Sequence, residues 1–239
     1  FIPVITETGY EPQNTINVIA EVLMHPYINN IGVLLPIAKV ILTAVAFSPV
    51  FINPKAAGLL IFSYYSALLL VIGLFQNMAE TKYGFTFIPG NLIVQYTIMA
   101  FCIWDCIKGK SLFDKQTIDC KKLWVVPLML LALLMPYSLK NGTVIPAINT
   151  VLTNEAGVTY CMITPVIVGL LILFHKSVYK PTMHIVSFLG FGFGILNMMT
   201  WFGFRLTDWW MGILHLPLLI LSWYGVQMSK EKAYQENLA

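Results

Sequence analysis

Residues 56–78 read AAGLLIFSYYSALLLVIGLFQNM, 23 positions without a single Asp, Glu, Lys or Arg. A helix that crosses about 30 Å of hydrocarbon needs roughly 20 predominantly apolar residues. This stretch meets that length by itself. Working outward from it, six more apolar segments emerge: 30–51, 88–107, 123–139, 160–174, 182–204 and 208–228. The segments at 123–139 and 160–174 are the shortest, and fit a small tilt or a locally thinned bilayer. The pattern predicts an all-α integral membrane protein, a seven-helix transmembrane bundle over residues 30–228. An extracytoplasmic segment, 1–29, precedes it and a cytoplasmic tail, 229–239, follows.

Whole-chain composition agrees. Of the 239 residues, 58% are hydrophobic and 10% charged, against about 25% charged in a soluble domain. A soluble fold with so few charges would expose large apolar patches. That excludes a soluble enzyme, a nucleic-acid-binding module and a disordered chain. The net charge of +3 is small and its cations flank spans, so nucleic acid is not an expected partner. The expected partners are the lipid bilayer and, on one reading, other membrane protein subunits.

Lys and Arg set orientation through their placement in short loops. The connections after the first, third and fifth segments, with the C-terminal tail, hold ten of the fourteen cations; the opposite side holds Lys82, Lys140 and Arg205. The fourteenth, Lys39, lies inside a span. The N-terminus is therefore predicted outside and the C-terminus in the cytoplasm, in a cell inner (cytoplasmic) membrane. Outside, residues 13–27 read either as an N-terminal amphipathic helix lying in the interface or as an ordered approach to the first span. Residues 140–158 are long for a connection. They read as a re-entrant piece or an ordinary loop, and Asn141-Gly142-Thr143 carries the N-glycosylation spelling.

An ionisable residue within a span costs roughly 2.5–3.5 kcal/mol on insertion scales, which makes it a functional candidate. Lys39 and His215 are such residues, both toward the outer side. Asp105 lies at the inner end of its segment, where Lys108 or Lys122 is the expected partner. Gln76, Asn77, Asn91, Gln95, Thr164, Asn197 and Thr200 add polar groups at a similar outer depth. The set suggests an outward-facing polar cavity. Lys39, Gln95, Asn197 and His215 are the expected ligand-binding residues, for a small polar or anionic ligand. The alternative makes the same groups interhelical glue, worth about 0.6 kcal/mol per bond on average.

Other patterns point to no cofactor. His184 and His215 sit at opposite depths, which argues against a bis-histidine haem. Cys102 and Cys106 share a helix face with Cys120 nearby, but no fourth ligand at a metal-site spacing accompanies them. No catalytic signature is present, so no catalytic residue, metal or cofactor is expected. Gly190 and Gly194 form a small-xxx-small pair suited to helix packing. Trp201, Trp209 and Trp210 are expected in the outer aromatic belt, and Trp104 and Trp124 in the inner one.

Two stretches carry a family likeness. Phe51-Ile52-Asn53-Pro54-Lys55-Ala56-Ala57 has an Asn-Pro link between early spans, and 157–171 has Cys161 eight residues before Gly169. In these the chain resembles an uncharacterised family of small prokaryotic polytopic membrane proteins, with Tyr160 and Met162 where that family has prolines. The resemblance implies the polytopic fold and no particular activity. Function is expected to be binding or transport of a small ligand; the alternative is a non-catalytic accessory or scaffold subunit of a larger membrane complex.

Overall fold

A computed structural model describes residues 2–140 and 143–231. The glycosylation spelling at Asn141 and the tail beyond 231 lie outside the described residues. Each of the seven apolar segments contains an α-helix. These are α2 (Leu35–Phe51), α3 (Pro54–Phe75), α4 (Pro89–Lys108), α5 (Val125–Leu134), α6 (Tyr160–Leu173), α7 (Lys180–Met199) and α8 (Trp209–Ser229). A further helix, α1 (Thr15–Met24), precedes them. Among the described residues, four helical stretches are long and apolar enough to cross a membrane: α3, α4, α7 extended by a π-turn to Phe204, and α8 with its leading turn. The chain is thus a mostly helical protein with membrane-type helices. At 1.5 Å per residue, α5 is only about 15 Å long and α6 about 21 Å.

Local signals explain the boundaries. Pro54 occupies the first turn of α3, and Asn53 caps it by accepting from Ala56 N at 2.8 Å. Pro89 opens α4, and Gly109 closes it in the left-handed region at φ 57°. Short α6 is the central helix: thirteen of its fourteen residues are buried. Around it lies the main apolar core, including Ile61, Phe62 and Leu69 of α3, Ile98 of α4 and Leu221 of α8. Within this core the Tyr65 and Thr164 hydroxyls lie 2.9 Å apart. The tightest pair is α7 with α8. A methyl group on Gly194 would come within 2.8 Å of Leu219 Cα, so the backbones touch there.

The connections segregate into two ends. At one end, Leu112 N donates to Ser177 O at 2.9 Å, Phe113 N to Pro54 O at 3.1 Å and Asp119 N to Leu173 O at 3.2 Å. Lys180 Nζ reaches Met228 O at 3.1 Å. The α2–α3, α4–α5 and α6–α7 links therefore lie together with the end of α8. This is the lysine-rich end.

The other end carries strands. β2 (Met78–Thr81) and β3 (Gly84–Phe87) form a hairpin, and β1 (Ile5–Thr6) pairs antiparallel with β3 in the order β1-β3-β2. β4 (Tyr137–Lys140) pairs with β5 (Thr143–Pro146). Helix α1 packs on the first sheet, with Val18 and Val22 buried beside Ala79, Val4 and Ile88. Its Ile16 and Leu23 remain exposed. The long 140–158 connection contains β5 and two 3-10 turns, Ile148–Thr150 and Glu155–Val158. Its Gly157 sits so close to α2 that a Cβ would lie 2.9 Å from Lys39 N.

The tryptophans expected in aromatic belts differ in exposure. Trp104, Trp124 and Trp209 are exposed. Trp201 is buried instead, packed on the His215 ring at 5.7 Å with the Arg205 guanidinium over it. Arg205 also pairs with Asp208 at 3.2 Å.

At the lysine-rich end His175 is buried, its Nδ1 3.1 Å from Ile172 O. Burial pushes its pKa below 6.5, with the Lys180 charge adding to that and the Ile172 carbonyl, Glu231 and Asp119 opposing it. Between the lowered value and about 6.5 the unfolded chain holds a proton that the folded chain does not. Stability from this group is therefore complete above pH 6.5 and falls as pH drops below it. In His175→Gln the thermal midpoint should change less between pH 7.5 and 5.5 than in the wild type. Parallel midpoint curves for the two proteins would refute this.

Candidate functional site

Lys39 lies on the second turn of α2, about 18 Å along the axis from Phe51 at the lysine-rich end. It is 4% exposed. An ammonium has three N–H donors, and three oxygens of this chain receive them. Nζ donates to Leu134 O at 3.3 Å, to Asn154 Oδ1 at 2.6 Å and to Val151 O. The C-terminus of α5 leaves Leu134 O free of an intrahelical partner, and the 140–158 connection supplies the other two. Asn154 is itself held: its Nδ2 donates to Met135 O at 2.7 Å and Tyr137 O at 3.2 Å. Lys39 thus joins α2, the end of α5 and the long connection. No carboxylate lies within salt-bridge distance of it among the described residues.

The other three residues keep different company. Gln95 is buried on α4, and its Oε1 accepts from Asn77 Nδ2 at 2.9 Å. Asn77 Nδ2 also reaches Gly73 O at 3.0 Å, and its Oδ1 accepts from Asn91 Nδ2 at 3.0 Å. This amide cluster fastens the end of α3 to α4. Asn197 Nδ2 donates to Phe193 O at 2.9 Å and lies 3.2 Å from Cys161 Sγ, linking α7 to α6. His215 is buried on α8 with Nδ1 2.8 Å from Met211 O. No hydrogen bond joins any two of Lys39, Gln95, Asn197 and His215 among the described residues.

Gln76, one residue past α3, accepts from Tyr160 N at 3.0 Å and so caps the start of α6. Trp201 Nε1 is buried without a partner beside His215.

Asp105 does not pair with Lys108 or Lys122. It is 1% exposed, and Ser111 clasps it, with N on Oδ1 at 2.8 Å and Oγ on Oδ2 at 2.7 Å. The left-handed turn at Gly109 reverses the chain and brings Ser111 back onto the helix end. The spacing Asp105, Gly109, Ser111 is the sequence signal for this clasp. Asn154 has a local role as well, accepting from Ala156 N at 3.3 Å at the start of the Glu155–Val158 turn, but its bonds to Lys39, Met135 O and Tyr137 O carry no comparable local signal. One surface cleft is lined by residues that include Lys55 and Asp105 and another by Pro136, Ser138 and 145–150; none of the four expected site residues lines either.

Comparisons with known protein families, with curated proteins and with solved structures find no match for this chain.

Proposed function

We propose that the chain is a seven-span protein of a prokaryotic inner membrane, N-terminus outside, that serves as a non-catalytic subunit or scaffold of a membrane assembly. The three shorter helices complete the bundle in this reading, with the hairpin end outside and the lysine-rich end in the cytoplasm. One observation carries the structural role of the polar interior. Every N–H of the Lys39 ammonium is engaged by oxygens of its own chain, which leaves none for a ligand. The clusters around Asn77 and Asn197 have the same character, each tying two helices together.

Alkaline phosphatase fusions test the topology. Fusions after residues 82 and 205 should be active, and those after 110 and 176 inactive; the reverse pattern removes the orientation. Extraction in mild detergent tests the assembly. The chain should migrate with partner subunits, and a lone monodisperse species overturns that reading.

A second reading keeps a small ligand at the hairpin end. The unpartnered Trp201 Nε1 next to His215 favours it. Experimental density for a hydrogen-bond acceptor beside that nitrogen would support this reading, and a dry apolar contact there would end it.

A further inference from the structure

We infer that the cleft beside the β4–β5 pair is a water-filled crevice that carries bulk water from the hairpin end to about the middle of the bilayer. The inference rests on the membrane-spanning reading and adds a water path to it. The heights come from helix lengths. α3 starts at the lysine-rich end, has 22 residues and is about 33 Å long, enough for roughly 30 Å of hydrocarbon. α5 starts from the same end and stops after 10 residues, about 15 Å up. Lys39, about 18 Å from that end, bonds Leu134 O at the last residue of α5, so the two measures agree. Beyond Leu134 the backbone leaves the α-helix: Met135 stands at φ 42° and β4 follows. The 147–154 stretch folds back onto this level. Ala147 N donates to Pro136 O at 3.2 Å, Thr150 Oγ1 to Tyr137 O at 2.7 Å and Asn154 Nδ2 to Met135 O at 2.7 Å.

Non-helical backbone at that depth is tolerated only where protein buries it or water reaches it. Here it is open. Ile148 is 81% exposed, and Asn149, Leu152 and Thr153 are exposed as well. The cleft on this side has a volume of about 550 Å³, and Ser138, Asn149 and Thr150 give it polar walls beside Pro136, Pro146 and Ile148. At about 30 Å³ per molecule it has room for on the order of ten waters. An acyl chain in the cleft would leave the Asn149 amide without a hydrogen-bond partner. A covering subunit would need polar groups matched to Ser138, Asn149 and Thr150, whereas water serves them without a match. Lys39 keeps the crevice in place, since its ammonium holds Val151 O and Asn154 Oδ1 of the same connection. The short α5 and α6 agree with this, because a bilayer thins beside short spans and brings water nearer.

The test uses the full chain in lipid nanodiscs, where both membrane faces are open to reagent, and a permanently charged thiol reagent. Asn149→Cys and Ile148→Cys each place a thiol at an exposed position on the cleft, so neither removes a packed side chain. Ala67→Cys is the control. It is exposed on α3, about 20 Å along the axis from Pro54, at a matching depth but away from the cleft. Labelling rates are read by mass spectrometry of the peptide that carries the new cysteine. Both cleft thiols should react roughly a hundredfold faster than Ala67→Cys, because a thiolate and a charged reagent meet in water and are excluded from hydrocarbon. Cleft thiols as slow as Ala67→Cys overturn the inference in favour of lipid. Fast labelling in nanodiscs with slow labelling in open native membrane fragments overturns it in favour of a partner subunit seated over the cleft. Equally fast labelling of all three would take α3 out of the hydrocarbon, and the crevice falls with the membrane-spanning reading. The phosphatase fusions above read topology separately, so slow cleft thiols alone leave that reading standing.

Discussion

Lys39→Met should lower the thermal midpoint of the solubilised protein by about 10 °C. The substitution keeps the stem and deletes the ammonium, leaving Leu134 O and Val151 O without that donor and Asn154 Oδ1 with Ala156 N alone. Each buried acceptor left unsatisfied costs about 1–3 kcal/mol, and the sum comes to roughly 3–5 kcal/mol after partial relaxation. For a chain of this size each kcal/mol moves the midpoint by about 2–4 °C. The 140–158 connection should also become more sensitive to protease added to the solubilised protein. Lys39→Arg should not restore stability, because the planar guanidinium cannot point three donors at these oxygens. The ligand-binding reading expects the opposite outcome: Lys39→Met remains as stable as the wild type and loses only binding. An unchanged midpoint with the methionine would therefore reinstate Lys39 as a ligand residue.

Gly194→Leu and Gly192→Leu should differ sharply although they stand two residues apart on α7. At Gly194 the nearest atoms to an added Cβ are backbone, Leu219 Cα at 2.8 Å and Leu219 N at 3.1 Å. Backbone cannot step aside by changing rotamer, so α7 and α8 must separate, at a cost of about 3 kcal/mol or more. At Gly192 nothing lies within 4 Å. A leucine there meets open space and gains helix propensity of several tenths of a kcal/mol. The expected result is a large fall in the midpoint for Gly194→Leu and none for Gly192→Leu. Comparable behaviour of the two variants would show that α7 and α8 do not pack by this face.

How much of this was legible beforehand differs between elements. The seven apolar segments were readable because each is a local run, and each holds a helix. The Asn53-Pro54 start of α3 was readable for the same reason, since capping depends on adjacent residues. The strands were not. β2 and β3 fill most of the connection between α3, which ends at Phe75, and α4, which starts at Pro89, and β1 reaches them from the N-terminal segment. The pairing of β1 with β3 is a contact between distant segments that no local pattern announces. Trp201 was assigned to an interfacial belt by its position near a span end, yet the π-turn at Thr200–Phe204 turns it inward onto His215.

The candidate residues show the same division. Hydropathy alone singles out Lys39 as the one cation within a span, because a charge in an apolar run is visible without knowing its neighbours. The identity of its partners is invisible there. The oxygens that bind it are two backbone carbonyls and the side-chain amide of Asn154. Backbone carbonyls carry no sequence signature, and Asn154 reaches Lys39 across 115 positions. Amino-acid order established a helical membrane-type chain, since burial in lipid depends on composition summed along a segment. Which atoms each costly polar group meets was decided by three-dimensional packing, since hydrogen bonds are made by atoms within about 3 Å and not by neighbours along the chain.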